Sequence, residues 1–187
     1  MTLFGRWRSE REFQRKAERF VERLLVEPSD EDVRWLALTA THGDTDHARW
    51  ELRYARRSLG LLTAERDALD DRTGSVVARA LAEATAHDPQ VAPEMQEIAE
   101  RQFNARLSAY RDALTARAGA ATGARLGQTL FAFAGGSFRQ VDEHITRGSE
   151  LLGEYLAEAN AALRDHFGKV SLPENVPPSA LVGKQGS

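Results

Sequence analysis

The chain has no cysteine, no long apolar run and little excess charge, and each shortage removes a class of function. Without cysteine there is no disulfide, no thiolate metal ligand and no cysteine nucleophile. A net charge of −3 on 187 residues is too small to indicate binding to duplex DNA or a solvating acidic tail. We therefore predict that nucleic acid is not a partner.

The sequence also lacks the apolar segments that membrane-spanning and secreted proteins require. No window of about 18 residues is both apolar and uncharged, as a membrane-spanning helix requires. The N-terminal residues 1–8 lack the apolar core of a secretory signal. We therefore expect a cytoplasmic protein, and we do not favour membrane contact.

What the chain does have is helical periodicity. Its apolar residues recur at gaps of three and four, and no segment alternates as a strand does. This pattern predicts an all-α fold, an elongated antiparallel bundle of about five helices with a long central helix. We place the bundle at residues 9–167, an N-terminal arm at residues 1–8 and a flexible C-terminal tail at residues 168–187.

Residues 45–87 carry the longest apolar seam, which predicts one continuous helix with coiled-coil character. The seam positions are Ala48, Leu52, Ala55, Leu59, Leu62, Leu69, Val76 and Ala80. Residues 70–75 have a turn-like composition that includes Gly74. The heptad spacing of the apolar residues nevertheless continues from Leu69 to Val76, which favours an unbroken helix. Whether this helix bends at Gly74 stays open.

Capping signals and prolines divide the rest of the bundle. Ser9 and Glu12 form a capping box, and Pro28 ends the helix that they open. A fourth helix is predicted to continue through a run of small residues to the Gly135–Gly136 pair, with a local break as the alternative because glycines lower helix stability. The predicted helix starts are Ser9, Ser29, Asp44 or Thr45, Pro93 and Ser137.

Three glycines form the most specific local pattern of the chain. Gly119, Gly123 and Gly127 are spaced by four, so on one helix they form a stripe that a neighbouring backbone can approach closely. We expect this stripe to pack against the long helix opposite Trp50 or Tyr54. A homodimer contact, membrane insertion and a conformational switch are the alternatives.

Metal and catalytic candidates are weak. His47 and Glu51 lie one turn apart on one helical face and are potential metal ligands. The Glu-x2-His pairs of di-iron bundles are missing, so we predict no cofactor and regard His47 as a first-turn residue. The acidic clusters, which we interpret as solvated faces, are Asp67, Asp70 and Asp71 and, further along, Glu94, Glu97 and Glu100.

A basic stripe accompanies the two aromatic residues of the long helix. It consists of Arg49, Arg53, Arg56 and Arg57. Guanidinium groups bind phosphate and carboxylate through paired hydrogen bonds, so the stripe is a candidate anion contact. Pairing with acidic residues of neighbouring helices explains the same pattern.

The leading hypothesis is a non-enzymatic interaction or scaffold protein that self-associates or binds a protein partner through helical faces. One alternative is a helical-bundle metalloprotein using His47 and Glu51. Another is a peripheral membrane protein that uses the Gly-rich helix segment; its proposed lipid contacts are Phe4, Trp7, Phe131 and Phe133. Within the tail, the apolar residues 180–182 follow a proline-rich spacer, so the tail is either disordered or a docking peptide.

Overall fold

The structure, a computed structural model, describes residues 3–68, 71–117, 121–136 and 142–168. These ranges hold seven α-helices, a short 3-10 helix and no strand, which confirms the predicted all-α class. The helices are α1 (Leu3–Leu24), α2 (Asp30–Thr39), α3 (Thr45–Asp67), α4 (Asp71–Ala86), α5 (Gln96–Thr115), α6 (Thr122–Phe133) and α7 (Asp142–Phe167), with the 3-10 helix at Pro93–Met95.

Helix α3 is the central element. Fourteen of its 23 residues are buried, because α1, α2, α4, α5, α6 and α7 all pack against it. It begins where the sequence predicts, with the Asp44 carboxylate accepting a hydrogen bond from the His47 backbone N–H at 2.9 Å.

The prediction of one unbroken helix over residues 45–87 is wrong. Helix α3 ends at Asp67, and α4 begins at Asp71 and runs back along α3. Gly74 lies beside Glu65, and Asp88 after α4 pairs with Arg57, so the two helices are antiparallel. The turn-like composition of residues 70–75 therefore marks a reversal of direction. Leu69 and Asp70 lie outside the described residues.

Gly74 belongs to α4 and offers a test of this hairpin. A Cβ atom there would lie 3.5 Å from the Glu65 Cα, an ordinary contact. We expect Gly74→Ala to raise the free energy of unfolding by up to about 1 kcal/mol, since alanine restricts the unfolded chain and favours helix. Urea denaturation measures the change, and a clear loss of stability would contradict this placement of α4 on α3.

Helices α1 and α2 follow one another along α3 in the opposite direction. The Leu24 side chain lies against Gly60, Glu27 pairs with Arg53 at 2.7 Å, and Asp30 pairs with Arg49 at 3.1 Å. These contacts place the end of α1, the α1–α2 connection and the start of α2 along residues 49–60 of α3.

The boundaries of α1 and α2 test the predicted caps. Ser29 caps α2 as predicted, accepting from the Asp32 backbone N–H at 3.1 Å. Helix α1 begins at Leu3, so residues 3–8 belong to this helix. The capping box at Ser9 does not set the start, because no proline before it prevents the helix from extending.

The predicted fourth helix is two helices. Helix α5 ends at Thr115 and α6 begins at Thr122; the connection contains Gly119, and glycine disfavours a helix interior relative to alanine. Helix α6 runs back along α5, with Arg125 donating to the Ala113 carbonyl at 2.9 Å and Phe133 lying beside Arg106. Gly119, the capping box at Ser137 and tail residues 169–187 lie outside the described residues.

The core divides into two clusters along α3. The first surrounds Leu52, Ala55 and Leu59 and includes residues of α2, α5, α6 and α7. The second surrounds Leu61 and Ala64 and includes residues of α1, α4 and α7. Because α4 packs on α1 and α3, and α5 packs on α3 and α6, but the two hardly touch each other, a cleft opens between them.

Candidate functional site

A cleft of about 600 Å³ lies between α4 and α5, with α3 as its floor. The floor is formed by Trp50, Tyr54, Arg57 and Leu61 of α3. The apolar part of the walls comes from residues of α4, α5 and the connection between them. These wall residues are Ala78, Leu81, Ala82, Ala86, Val91, Ala99, Phe103 and Leu107.

Aromatic rings form one end of the floor. The Trp50 and Tyr54 rings are 5.5 Å apart between centroids, and Tyr54 lies 6.5 Å from Phe103. The Tyr54 hydroxyl donates to the Gln102 side-chain oxygen at 3.1 Å. Burial raises the pKa of Tyr54, so its hydroxyl stays neutral at physiological pH. This end of the floor is therefore aromatic surface, with the Tyr54 hydroxyl already hydrogen-bonded.

The two walls of the cleft differ in character. The α4 wall is small and uncharged, with Ala82 and Ala86 exposed at its edge. The α5 wall carries two exposed carboxylates, Glu97 and Glu100. Within the described part of the chain neither carboxylate has an ion-pair partner.

The remaining charge at the cleft is neutralised. Arg57 is almost fully buried and donates to the Asp88 carboxylate at 2.8 Å. Burial raises the pKa of Asp88, but hydrogen bonds from Arg57 and from the Gln90 backbone N–H outweigh this and hold the pKa below its usual value. This pair therefore stabilises the fold above the ordinary carboxyl pKa, and its contribution is lost as the pH falls through the lowered pKa.

All four arginines of the basic stripe have carboxylate partners on other elements. The pairs, with N–O distances, are Arg49–Asp30 (3.1 Å), Arg53–Glu27 (2.7 Å), Arg56–Glu158 (2.5 Å) and Arg57–Asp88 (2.8 Å). They join α3 to the α1–α2 connection, to α2, to α7 and to the segment after α4. Protein carboxylates therefore occupy the positions at which an anion would bind.

His47 and Glu51 are in contact, as their spacing predicts, with the His47 Nε2 3.4 Å from a Glu51 oxygen. Glu51 is only 2% exposed, and both of its oxygens accept from Arg106, at 2.5 and 3.0 Å. No third histidine or carboxylate joins them into a ligand group within the described ranges. The nearest charge to Glu51 is thus an arginine, which repels a metal ion.

Gly123 and Gly127 of the glycine stripe pack on α7 and not opposite Trp50 or Tyr54 as expected. A Cβ atom at Gly127 would collide with the Ile145 carbonyl and lie 3.2 Å from the Ser149 backbone nitrogen. One at Gly123 would collide with the Ser149 hydroxyl. The expectation failed because α6 is a separate helix that turns back between α5 and α7.

Two residues proposed to contact lipid are engaged inside the bundle. Phe131 is buried, with its ring 5.7 Å from Trp35, and the guanidinium of Arg106 lies 4.4 Å from the Phe133 ring. The side chains of Phe4 and Trp7 are not among those that the structure describes. Among the described helices, none is both long and apolar enough to cross a membrane.

The sequence singles out Trp50, Tyr54 and Arg57 of the floor. Of the walls it singles out only Glu97 and Glu100, which are interpreted as a solvated acidic face. The cleft exists because α4 folds back on α3, and the signal for that reversal is the turn-like composition of residues 70–75. Comparison of the chain with protein-family models, curated proteins and solved structures finds no match.

Proposed function

We propose that this chain is a non-enzymatic protein-binding protein and that the α4–α5 cleft receives a helical segment of a partner. The observation that carries the proposal is an open, aromatic-floored cleft in a bundle whose other long helices are packed together. Exposed apolar concavities of this kind are typical of sites that bind amphipathic helices.

The dimensions of the cleft suit a helix. Its α5 wall runs from Gln96 to Leu107, twelve residues, which span about 17 Å at 1.5 Å per residue. That length matches about three turns of a bound helix. The small side chains of Ala82 and Ala86 on the other wall permit the short interaxial distances of close helix packing.

The chemistry of the cleft favours binding through apolar contact. The Tyr54 hydroxyl is hydrogen-bonded to Gln102 and the Arg57 charge is paired with Asp88, so neither group offers a free charge to a ligand, although the buried Arg57 Nε has no hydrogen-bond partner. The main source of binding free energy is then the removal from water of apolar surface on the half-buried Trp50 and Phe103 and on the exposed Ala82 and Ala86, at about 25 cal/mol per Å².

Photo-crosslinking from the cleft tests this function. A photoreactive phenylalanine analogue placed at Ala82 in cells is expected to form a discrete adduct with another polypeptide, because position 82 borders the bound helix. The same analogue at Ala157, exposed on α7 and absent from the cleft, is the matched control.

Three outcomes distinguish the occupants of the cleft. An adduct with a different protein that disappears when Ala86→Arg fills the cleft supports the proposal. An adduct with residues 169–187 of the same chain, or no adduct from position 82, contradicts it. Equal adducts from positions 82 and 157 also contradict it, since they show capture unrelated to the cleft.

A further inference from the structure

We infer that the helix bound in the α4–α5 cleft is basic, with lysine or arginine side chains along the edge that faces α5. This inference rests on the proposed function and adds the chemistry of the partner. The inference depends on the negative charges that line the cleft and on the fact that both lie on the α5 wall.

The charged groups that line the cleft are Arg57, Glu97 and Glu100. The Arg57 charge is cancelled by Asp88 at 2.8 Å, whereas the two glutamates have no ion-pair partner in the ranges that the structure describes. The cleft therefore presents two uncompensated negative charges. Arg101 follows on α5 but does not line the cleft.

The position of the two glutamates also orients the occupant. Residues three apart on a helix lie on the same face, so Glu97 and Glu100 border one side of the cleft about one turn apart. Ala82 and Ala86 on the opposite side carry no charge. A bound helix thus has its apolar face on Trp50, its uncharged edge against α4 and basic residues three or four apart against α5.

Exposed charges at the rim of a binding site mainly raise the association rate and discriminate between partners. Exposed pairs contribute modestly to affinity, but two like charges facing the rim would strongly disfavour an acidic occupant. Because the carboxylates are exposed, salt screens them, so the preference for a basic helix must weaken as ionic strength rises.

Two designed peptides of about 15 residues test the inference by fluorescence anisotropy with the full chain. Both carry leucines at helical spacing on one face; one has lysines on the flanking edge, and the other has glutamates at the same positions. We expect the lysine peptide to bind at least about tenfold more tightly at low salt, with a smaller ratio at high salt.

Reversing the two rim charges is the decisive experiment. Glu97→Lys together with Glu100→Lys is expected to reverse the preference between the peptides. The matched control is Glu150→Lys together with Glu154→Lys on α7, which changes the net charge equally at exposed positions away from the cleft. That control is expected to retain the preference for the lysine peptide.

The remaining outcomes separate this inference from the proposed function. Equal binding of both peptides, abolished by Ala86→Arg, overturns the basic partner and leaves a protein-binding cleft. Binding that survives Ala86→Arg lies elsewhere on the surface and overturns the inference, as does failure of both peptides to bind. A dimer that Ala86→Arg converts to monomer assigns the cleft to a second copy and likewise overturns it.

Discussion

Replacing Arg106 by methionine is expected to lower the free energy of unfolding by about 3 kcal/mol, because it leaves a buried carboxylate without its counter-charge. Glu51 is 2% exposed and accepts two hydrogen bonds from Arg106, whose own side chain is 13% exposed. Methionine has a similar length, so the loss reports the charge more than the packed volume. Chemical denaturation followed by circular dichroism measures it.

Two further variants isolate the cause of that loss. Glu51→Leu combined with Arg106→Met removes both charges and is expected to recover most of the stability, since no buried charge is then left unpaired. Arg111→Met removes the guanidinium of the exposed Arg111–Glu65 pair, at 2.9 Å, and is expected to cost less than about 1 kcal/mol. A cost at Arg106 no greater than that at Arg111 would contradict the buried pairing.

Introducing a methyl group at Gly127 is expected to cost about 2 kcal/mol, because it forces α6 away from α7. The added Cβ meets the Ile145 carbonyl and the Ser149 nitrogen, which are backbone atoms that cannot move without shifting the helix. The loss would appear in Gly127→Ala as a lower denaturation midpoint with the helix content retained.

Gly153→Ala is the matched control, since Gly153 lies on α7, is exposed, and has no atom within 4 Å of an added Cβ. Alanine is favoured over glycine in a helix, so this variant is expected to gain up to about 1 kcal/mol. Opposite signs at positions 127 and 153 would establish the close α6–α7 contact. A gain at both positions would show that the helices are further apart.

Two helix starts and much of the buried seam could be predicted because both are local properties. Ser29 and Asp44 cap helices through hydrogen bonds to residues three positions later, which the sequence displays directly. Likewise, Leu52 and Leu59 recur at helical spacing and are completely buried. Short-range geometry and periodicity were sufficient at these positions.

The α3–α4 reversal could not be obtained from periodicity alone. Only three residues separate Asp67 from Asp71, so the apolar spacing stays nearly in phase, and a hairpin and a continuous helix give the same pattern. The walls of the cleft depend on this reversal, because Leu81 reaches Tyr54 only after α4 has folded back. The partner of Gly127 was missed for a similar reason, since long-range packing decides which helix approaches a glycine.

The identity of the molecule crosslinked from position 82 tests the protein-binding function most directly. Mass spectrometry of the adduct is predicted to show a peptide from another protein, joined to the analogue at Ala82 and absent when Ala86→Arg fills the cleft. Failure to crosslink any other polypeptide, with the folded chain intact by circular dichroism, would contradict the function assigned to the α4–α5 cleft.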